Sequence, residues 1–301
     1  PRRAGLRAIS SVGWKFLQPP PRDEQVLLGC VSYDPAVGRI WEMMRSYMRG
    51  AGVPFDFVLF TNYEQQVACL LNGHIDIAWN GPVAHVVAQQ RAGEGQTVSL
   101  GMRDCDRDFV SICVARKDAG VKGVGDLAGK SVLTGASDSP QAHVVPVHWL
   151  SEEGITPSSI QPFEADLGKH GDTAVGEILA MEALLRGEGQ AALLSDMMWL
   201  RALDGALPSI DPKALKNAAA IVPGAAPPLF DHCQFDALAP TAPNSPDPTG
   251  WKAEAFSKAL FAMDMGNPDH TQVMKLEGIR ERWEPAREEG YDPVRRAVGA
   301  P

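Results

Sequence analysis

Positive charge is scarce in this sequence. Its 28 Lys and Arg face 37 Asp and Glu, giving a formal net charge of −9 at pH 7 and a pI near 5.3. A nucleic-acid surface needs a basic footprint, and anionic lipid attracts polybasic segments, so both partner classes are disfavoured. Long apolar runs are also missing: no stretch approaches the roughly 20 apolar residues that span a bilayer. The five cysteines contain no C-x-x-C pair and no zinc-site spacing. An odd count leaves at least one thiol unpaired in a monomer, and an accessible free thiol in an oxidising compartment needs a reason. Histidine shows no metal pattern either. His143 and His148 are five apart, and His74 and His85 fall in separate elements, so neither HxxxH nor HExxH occurs. Residues 125–131 (GDLAGKS) imitate a phosphate-binding loop, but one glycine is misplaced and the stretch leads into a strand rather than a helix.

What is present is an ordinary globular balance, 45% hydrophobic and 22% charged, over 301 residues, a length that points to about two domains. Residues 1–25 are rich in Pro and Arg without periodicity and read as a loose N-terminal extension left by signal-peptide removal. After them the apolar period alternates between strand and helix. Strands are expected at 26–31, 55–60, 75–79, 97–102 and 109–116. The helices between them cover 36–49 after the Asp34-Pro35 start, 63–71, and 82–90 with Pro in its first turn. The pattern resumes with strands at 131–134, 161–163 and 191–195 and helices at 139–152 and 173–187. The Gly/Pro stretch 224–228 marks a crossing back, followed by a strand near 234–238 and two or three helices from 248 onward. Repeated βα units predict an α/β fold with mixed, mainly parallel sheets. Lobe 1 would comprise 26–103 plus 224–301, and lobe 2 residues 104–223. Ligands of such sheets sit off the carboxyl ends of the strands. That rule gathers Ser32-Tyr33-Asp34, Thr61-Asn62-Tyr63, Asn80-Gly81, residues 135–139 and Asp196 on one rim, with Trp79 at the cleft floor. Met43, Met44, Met48, Met197 and Met198 fall on helical faces and are assigned to the core.

One ordered set of motifs carries a family resemblance. A strand ends in Ser32-x-Asp34, and a helix opens on Asn62-Tyr63-Glu64. Then come Leu71-x-Gly73-x-Ile75-Asp76-Ile77-Ala78-Trp79-x-Gly81 and Asp126-Leu127-x-Gly129-Lys130. The loop 137–139 follows, with Pro146 and Gly154 after it, and residues 285–294 (PAREEGYDPV) close the pattern. In this order they resemble the phosphonate/phosphite substrate-binding proteins of ABC transporters, a branch of the type II periplasmic binding fold. The resemblance implies an exported, periplasmic, two-lobed protein with an interlobe cleft, no cofactor and no catalysis. It brings Ser32, Tyr63, Trp79, Asn80, Ser137, Ser139 and His170 forward as ligand contacts. The anion cradle departs from the family pattern. At Asp138-Ser139-Pro140-Gln141 a single hydroxyl remains, Pro140 removes an N–H donor, and Asp138 adds negative charge where helix N-terminal donors would hold an anion.

Cys105 sits in the polar loop RDCDRD at the first crossing between lobes, unlike Cys30, Cys69 and Cys113, which read as small buried hydrophobes. Cys233 is either cleft-facing or packed. A thiol beside a weakened cradle fits an uncharged thiophilic oxy-acid, and a soft centre chooses sulfur. The chain is similar to the arsenite-binding relatives of the phosphonate binders that switch on arsenite oxidase. In that group the loop cysteine is implied as the As(III) ligand, which maps to Cys105. The expected function is therefore a monomeric arsenite sensor signalling to a membrane sensor histidine kinase. The alternative is an ABC-transporter receptor for phosphate, phosphite or a phosphonate, with a permease as partner. An enzyme using Cys105 as nucleophile would need a nearby base, for which the sequence offers only His232.

Overall fold

The computed structural model describes residues 21–33, 36–164 and 174–299. His170 and the Asp34-Pro35 start signal lie outside the described residues. The chain folds into two α/β lobes, each built on a mixed sheet. The first contains β1 (Val26–Val31), β2 (Phe55–Phe60), β3 (Ile77–Asn80) and β4 (Thr97–Arg103), joined by β10 (Gln234–Leu238) and β11 (Trp283–Glu284). Its spatial order is β11-β4-β10-β3-β1-β2. The pairs β1/β2 and β1/β3 are parallel, whereas β10 runs antiparallel between β3 and β4. The second sheet has β5 (Ser111–Arg116), β6 (Ser131–Thr134), β7 (Ser159–Pro162), β8 (Ala191–Ser195) and β9 (Ala219–Ile221), in the order β7-β6-β8-β5-β9. Here β5 is antiparallel to both of its neighbours. The first sheet thus carries two strands against the grain, β10 and β11, and the second carries one, β5. The chain passes from the first sheet to the second after β4 and returns before β10.

Local chemistry explains the helices. α1 (Val37–Gly50) buries Val37, Trp41, Met44 and Met48, a helical spacing that lays one stripe on the first sheet. α2 (Tyr63–Leu71) starts where the Asn62 side chain accepts the Gln65 N–H at 2.8 Å. α3 (Pro82–Ala92) has Pro at its first position, where a missing N–H costs nothing. The expected helix 139–152 divides. Pro140–Val144 forms a single π turn before α4 (Val145–Glu152) begins. α5 (Val175–Arg186) follows β7. The region 196–221, where only Asp196, Met197 and Met198 carried an expectation, holds α6 (Asp196–Leu203), α7 (Pro212–Ala218) and β9. Three helices close the chain, α8 (Trp251–Phe261), α9 (Pro268–Leu276) and α10 (Asp292–Ala297).

The described end of the expected loose extension is anchored. Arg22 pairs with the buried Asp76 at 2.5 Å, and Lys252 donates to both Asp76 and the Arg22 carbonyl. That use of Asp76 also explains why β3 begins at Ile77 rather than at 75. The first sheet packs around Trp41, Trp79, Phe235, Phe256 and Trp283. The second has apolar clusters on both faces.

Candidate functional site

The carboxyl ends of β1, β2 and β3 face the start of the π turn across a gap. A cavity of about 600 Å³ lies there. Lobe 1 lines it with Ser32, Tyr33, Thr61, Asn62, Tyr63 and Gly81, and the far wall carries Asp138 and Pro140. A Cβ at Gly81 would lie 3.3 Å from the Tyr63 ring, so glycine lets the aromatic seat against the β3–α3 turn. Burial raises the Tyr63 hydroxyl well above its ordinary pKa, with the Cys233 and Tyr33 groups adding to the effect and Arg103 opposing it. Tyr63 therefore remains a neutral donor.

The second-lobe wall offers few donors. Ser139 is buried and its hydroxyl accepts the Ala142 N–H at 3.3 Å, which consumes it as a cap. The Ser137 N–H donates to Glu164 at 3.0 Å, so a carboxylate already occupies that amide. Pro140 has no N–H to give. Neither Ser137 nor Ser139 borders the cavity.

Trp79 and Asn80 are corrected from cleft contacts to core residues. The Trp79 ring is 3% exposed, packed against Phe235 and Trp283 with the Arg103 guanidinium 5.4 Å from its centroid. Asn80 is fully buried, donating to Asp236 at 2.7 Å and accepting from Gln66 at 2.8 Å. The physical reason is β10, whose insertion beside β3 gives both side chains internal partners.

A second cavity of similar size, about 610 Å³, lies on the other side of Tyr33. Residues of α1, the first crossing, the start of α6 and the segment after α9 surround it, with Cys105, Arg107, Asp196, Met197, Gly278 and Arg280 on its walls. Met197, expected in the core, borders this chamber instead, whereas Met198 is buried. The Cys105 loop is a short turn, Asp104–Asp106, held from both ends. Arg103 grips Asp106 with two hydrogen bonds of 2.6 and 2.8 Å and donates to the Glu277 carbonyl at 2.7 Å. Asp104 accepts the backbone N–H groups of Arg280, Glu281 and Arg282 at 3.0, 2.5 and 3.2 Å. The Cys105 thiol is free and half-buried. Burial pushes its pKa up to about 12, Arg103 pulls down, and Asp106 and Asp104 push up further. The carboxylates and burial thus prevail over the arginine, and the sulfur keeps its proton at neutral pH.

The crossings meet in an antiparallel pair, Phe109 with Phe230, and the His232 N–H donates to the Asp106 carbonyl at 2.8 Å. Beside them Gly290 packs so closely that a Cβ there would lie 2.2 Å from the Asp231 carboxylate. Of the remaining sequence-derived candidates, Ser32 and Tyr63 share the first chamber and Cys105 the second. The sequence reading missed Gly278 and Arg280, because nothing in the last third of the chain marks a helix end as a cleft wall. Arg107 borders the same chamber, and its buried Nε has no acceptor among the described residues.

Comparisons with known proteins agree with this architecture. A family model described as "ABC transporter, phosphonate, periplasmic substrate-binding protein" matches residues 31–291. The phosphate-import protein PhnD of Mycolicibacterium smegmatis is 28% identical over 139 residues. That match takes in 45% of this chain and only 40% of the relative. Among solved structures, PhnD1 from Prochlorococcus marinus in complex with methylphosphonate superposes with a TM-score of 0.66 at 14% identity, covering 92% of this chain and 98% of its own. XAC2383 from Xanthomonas citri bound to chloride ion gives 0.67 at 16% identity, with 92% and 99% covered. Among the described residues no helix is long and apolar enough to cross a membrane.

Proposed function

The chain belongs to the periplasmic substrate-binding proteins of phosphonate ABC transporters, and from that premise we propose that it is a periplasmic receptor delivering a small phosphorus oxyacid to an ABC permease. The observation that carries this reading is the group Ser32, Tyr33, Thr61 and Tyr63 at the ends of β1 and β2, set across the gap from Asp138 and Pro140. Hydroxyls of this kind hold oxyanion oxygens, and lobe closure completes the shell. The second-lobe wall narrows the class. With Pro140 lacking an N–H, Ser139 turned inward and Glu164 on the Ser137 amide, a dianion finds little to hold it. A singly charged oxyacid that keeps a hydroxyl can donate that hydroxyl to Asp138. Phosphite or a phosphonate as monoanion is therefore favoured over the phosphate dianion. Ligand that binds the closed form more tightly shifts the lobes towards closure, and the permease reads that shift.

Calorimetry with methylphosphonate, phosphite and phosphate at pH 6 and 8 tests the reading. Binding should appear for the first two, be stronger at pH 6, and weaken at least tenfold in Tyr63→Ala. No heat with any of the three, at either pH, rejects a phosphorus oxyacid as solute.

A second reading rests on Cys105, a free thiol on the wall of the other chamber. Arsenous acid is uncharged near neutral pH, so the poor cradle does not count against it. The thiol S–H and one As–OH exchange to form an As–S bond, and the proton leaves with that hydroxyl as water. The protein would then act as an arsenite sensor coupled to a membrane sensor histidine kinase. Mass spectrometry after arsenite exposure separates the two readings. An adduct absent from Cys105→Ser supports the sensor, and an unmodified wild-type mass eliminates it.

A further inference from the structure

Where the two crossings touch, three side chains of different chemistry converge. Asp106 belongs to the first crossing, His232 and Cys233 to the second, and all three are buried. One ligand atom from each lies within 4.8 Å of the others. His232 Nδ1 is 3.1 Å from Cys233 Sγ and 3.7 Å from Asp106 Oδ1.

The tautomer of His232 follows from a relay that starts in the second lobe. Glu177, on α5, accepts a hydrogen bond from Gln141 Nε2 at 3.0 Å, and its other oxygen takes the Ser195 N–H and hydroxyl at 2.6 and 2.8 Å. The amide nitrogen of Gln141 is thereby committed, which turns its Oε1 toward His232 Nε2 at 3.4 Å. A carbonyl oxygen only accepts, so the imidazole proton sits on Nε2. The lone pair is left on Nδ1, the atom that faces the thiol and the carboxylate. Histidines that ligate metals are oriented by this kind of partner on the far nitrogen.

We propose that Asp106, His232 and Cys233 form a zinc(II) site that ties the two crossings together, with water in the fourth position. Tetrahedral zinc, with bonds of about 2.0–2.3 Å, sets its ligand atoms roughly 3.3–3.8 Å apart. Two of the three edges are already close to that range, and the third needs contraction of at most about 1–1.5 Å. The charges also balance. Arg103 is bonded to Asp106, and the Glu277 carboxylate is 3.8 Å from Arg103. One guanidinium, two carboxylates, one thiolate and a divalent cation sum to zero. Binding replaces the Cys233 S–H bond with an S–Zn bond and releases that proton to solvent. His232 borders the first chamber and Asp106 the second, so a cation has an approach from either. This inference is independent of the solute and is tested without it.

The reduced full chain is titrated with cobalt(II) as a spectroscopic probe, and zinc affinity is then measured by competition with a chromophoric chelator. The expected result is one equivalent of tetrahedral cobalt with a thiolate charge-transfer band, abolished by zinc. Cys233→Ser removes the band and His232→Gln weakens affinity at least a hundredfold. Gln141→Leu, which leaves all three ligands in place, weakens it about 10–100-fold. Cys105→Ser retains the band. Wild-type protein without a thiolate band overturns the site. So does a band lost in Cys105→Ser or unchanged in Cys233→Ser, since either assigns the metal to another thiol. Circular dichroism of each variant separates loss of metal from loss of fold, and Gln141→Leu together with Cys105→Ser decides the matter if Cys233→Ser does not fold.

Discussion

Arg287 grips the carboxylate of Asp231 with two hydrogen bonds, Nε to Oδ2 at 2.5 Å and Nη2 to Oδ1 at 2.6 Å, and its Nη2 also reaches Asp108 at 2.6 Å. Asp231 is fully buried in the second crossing, and Asp108, in the first, holds a left-handed backbone at φ 52°. One guanidinium therefore staples both hinge strands to the C-terminal segment. The hydrogen bonds Arg287 donates to Asp231 raise its pKa against a burial penalty, with Asp108 adding to the effect. Removing the guanidinium leaves a buried, uncompensated carboxylate, which costs about 3 kcal/mol. Arg287→Ala should lower the urea midpoint accordingly, while Arg287→Lys, which keeps the charge but not the fork, recovers only part. Equal midpoints for Arg287→Ala and wild type would show that the staple bears no stability.

Much of this architecture can be read from apolar period alone, because β1, α1, β2 and α2 are local in sequence. Ser32 and Tyr63 reach a cavity for the same reason: each follows a strand, and strand ends share a rim. Trp79 and Asn80 are the last residues of β3 itself, and they are consumed by β10, which arrives from more than 150 residues away and offers Asp236 and Phe235 as partners. No local pattern encodes that pairing, although an acidic residue inside the buried run QFDAL hints that a polar partner waits. The second chamber is harder still. Its walls come from Tyr33, the start of α1, the first crossing, residues 196–197 and the segment after α9. In the sequence Tyr33 and Asp196 stand out only as strand-end residues and Cys105 only as a thiol among aspartates. The departure at Asp138–Pro140 was legible, but its completion by Glu164 was not, since that contact spans a strand and a helix.

His85 and Asp236 give the first lobe a pH-dependent core. His85 is fully buried, its Nδ1 2.9 Å from Asp236, and Glu288 lies 3.6 Å from its Nε2. Burial disfavours the imidazolium, but the two carboxylates outweigh it and raise the pKa from 6.5 to about 9. A histidine whose folded pKa is raised adds stability that is fully present below pH 6.5 and is lost as pH climbs through 9. The span corresponds to about 3 kcal/mol. Urea unfolding at pH 6 and 9.5 should show wild type losing that amount more than His85→Gln. Parallel pH profiles would mean that His85 is neutral in the folded protein.

Glu164 sets the charge selectivity of the first chamber under the oxyacid reading. Its carboxylate accepts the Ser137 N–H at 3.0 Å, next to Asp138 on the chamber wall, so from behind that wall it occupies a donor and adds a charge that repels an anion. Glu164 is exposed, and solvent screens the repulsion. The gain from removing it is therefore modest: one amide hydrogen bond to a charged group contributes about 1.5 kcal/mol, roughly tenfold in affinity. Glu164→Gln keeps an acceptor for Ser137 and removes only the charge, whereas Glu164→Ala removes both. Phosphate at pH 8 should bind more tightly to Glu164→Ala than to Glu164→Gln, and more tightly to both than to wild type. Arsenite, being uncharged, should not distinguish the three proteins. Phosphate affinity that is the same in all three at low ionic strength would mean that the Ser137 amide plays no part in holding an anion.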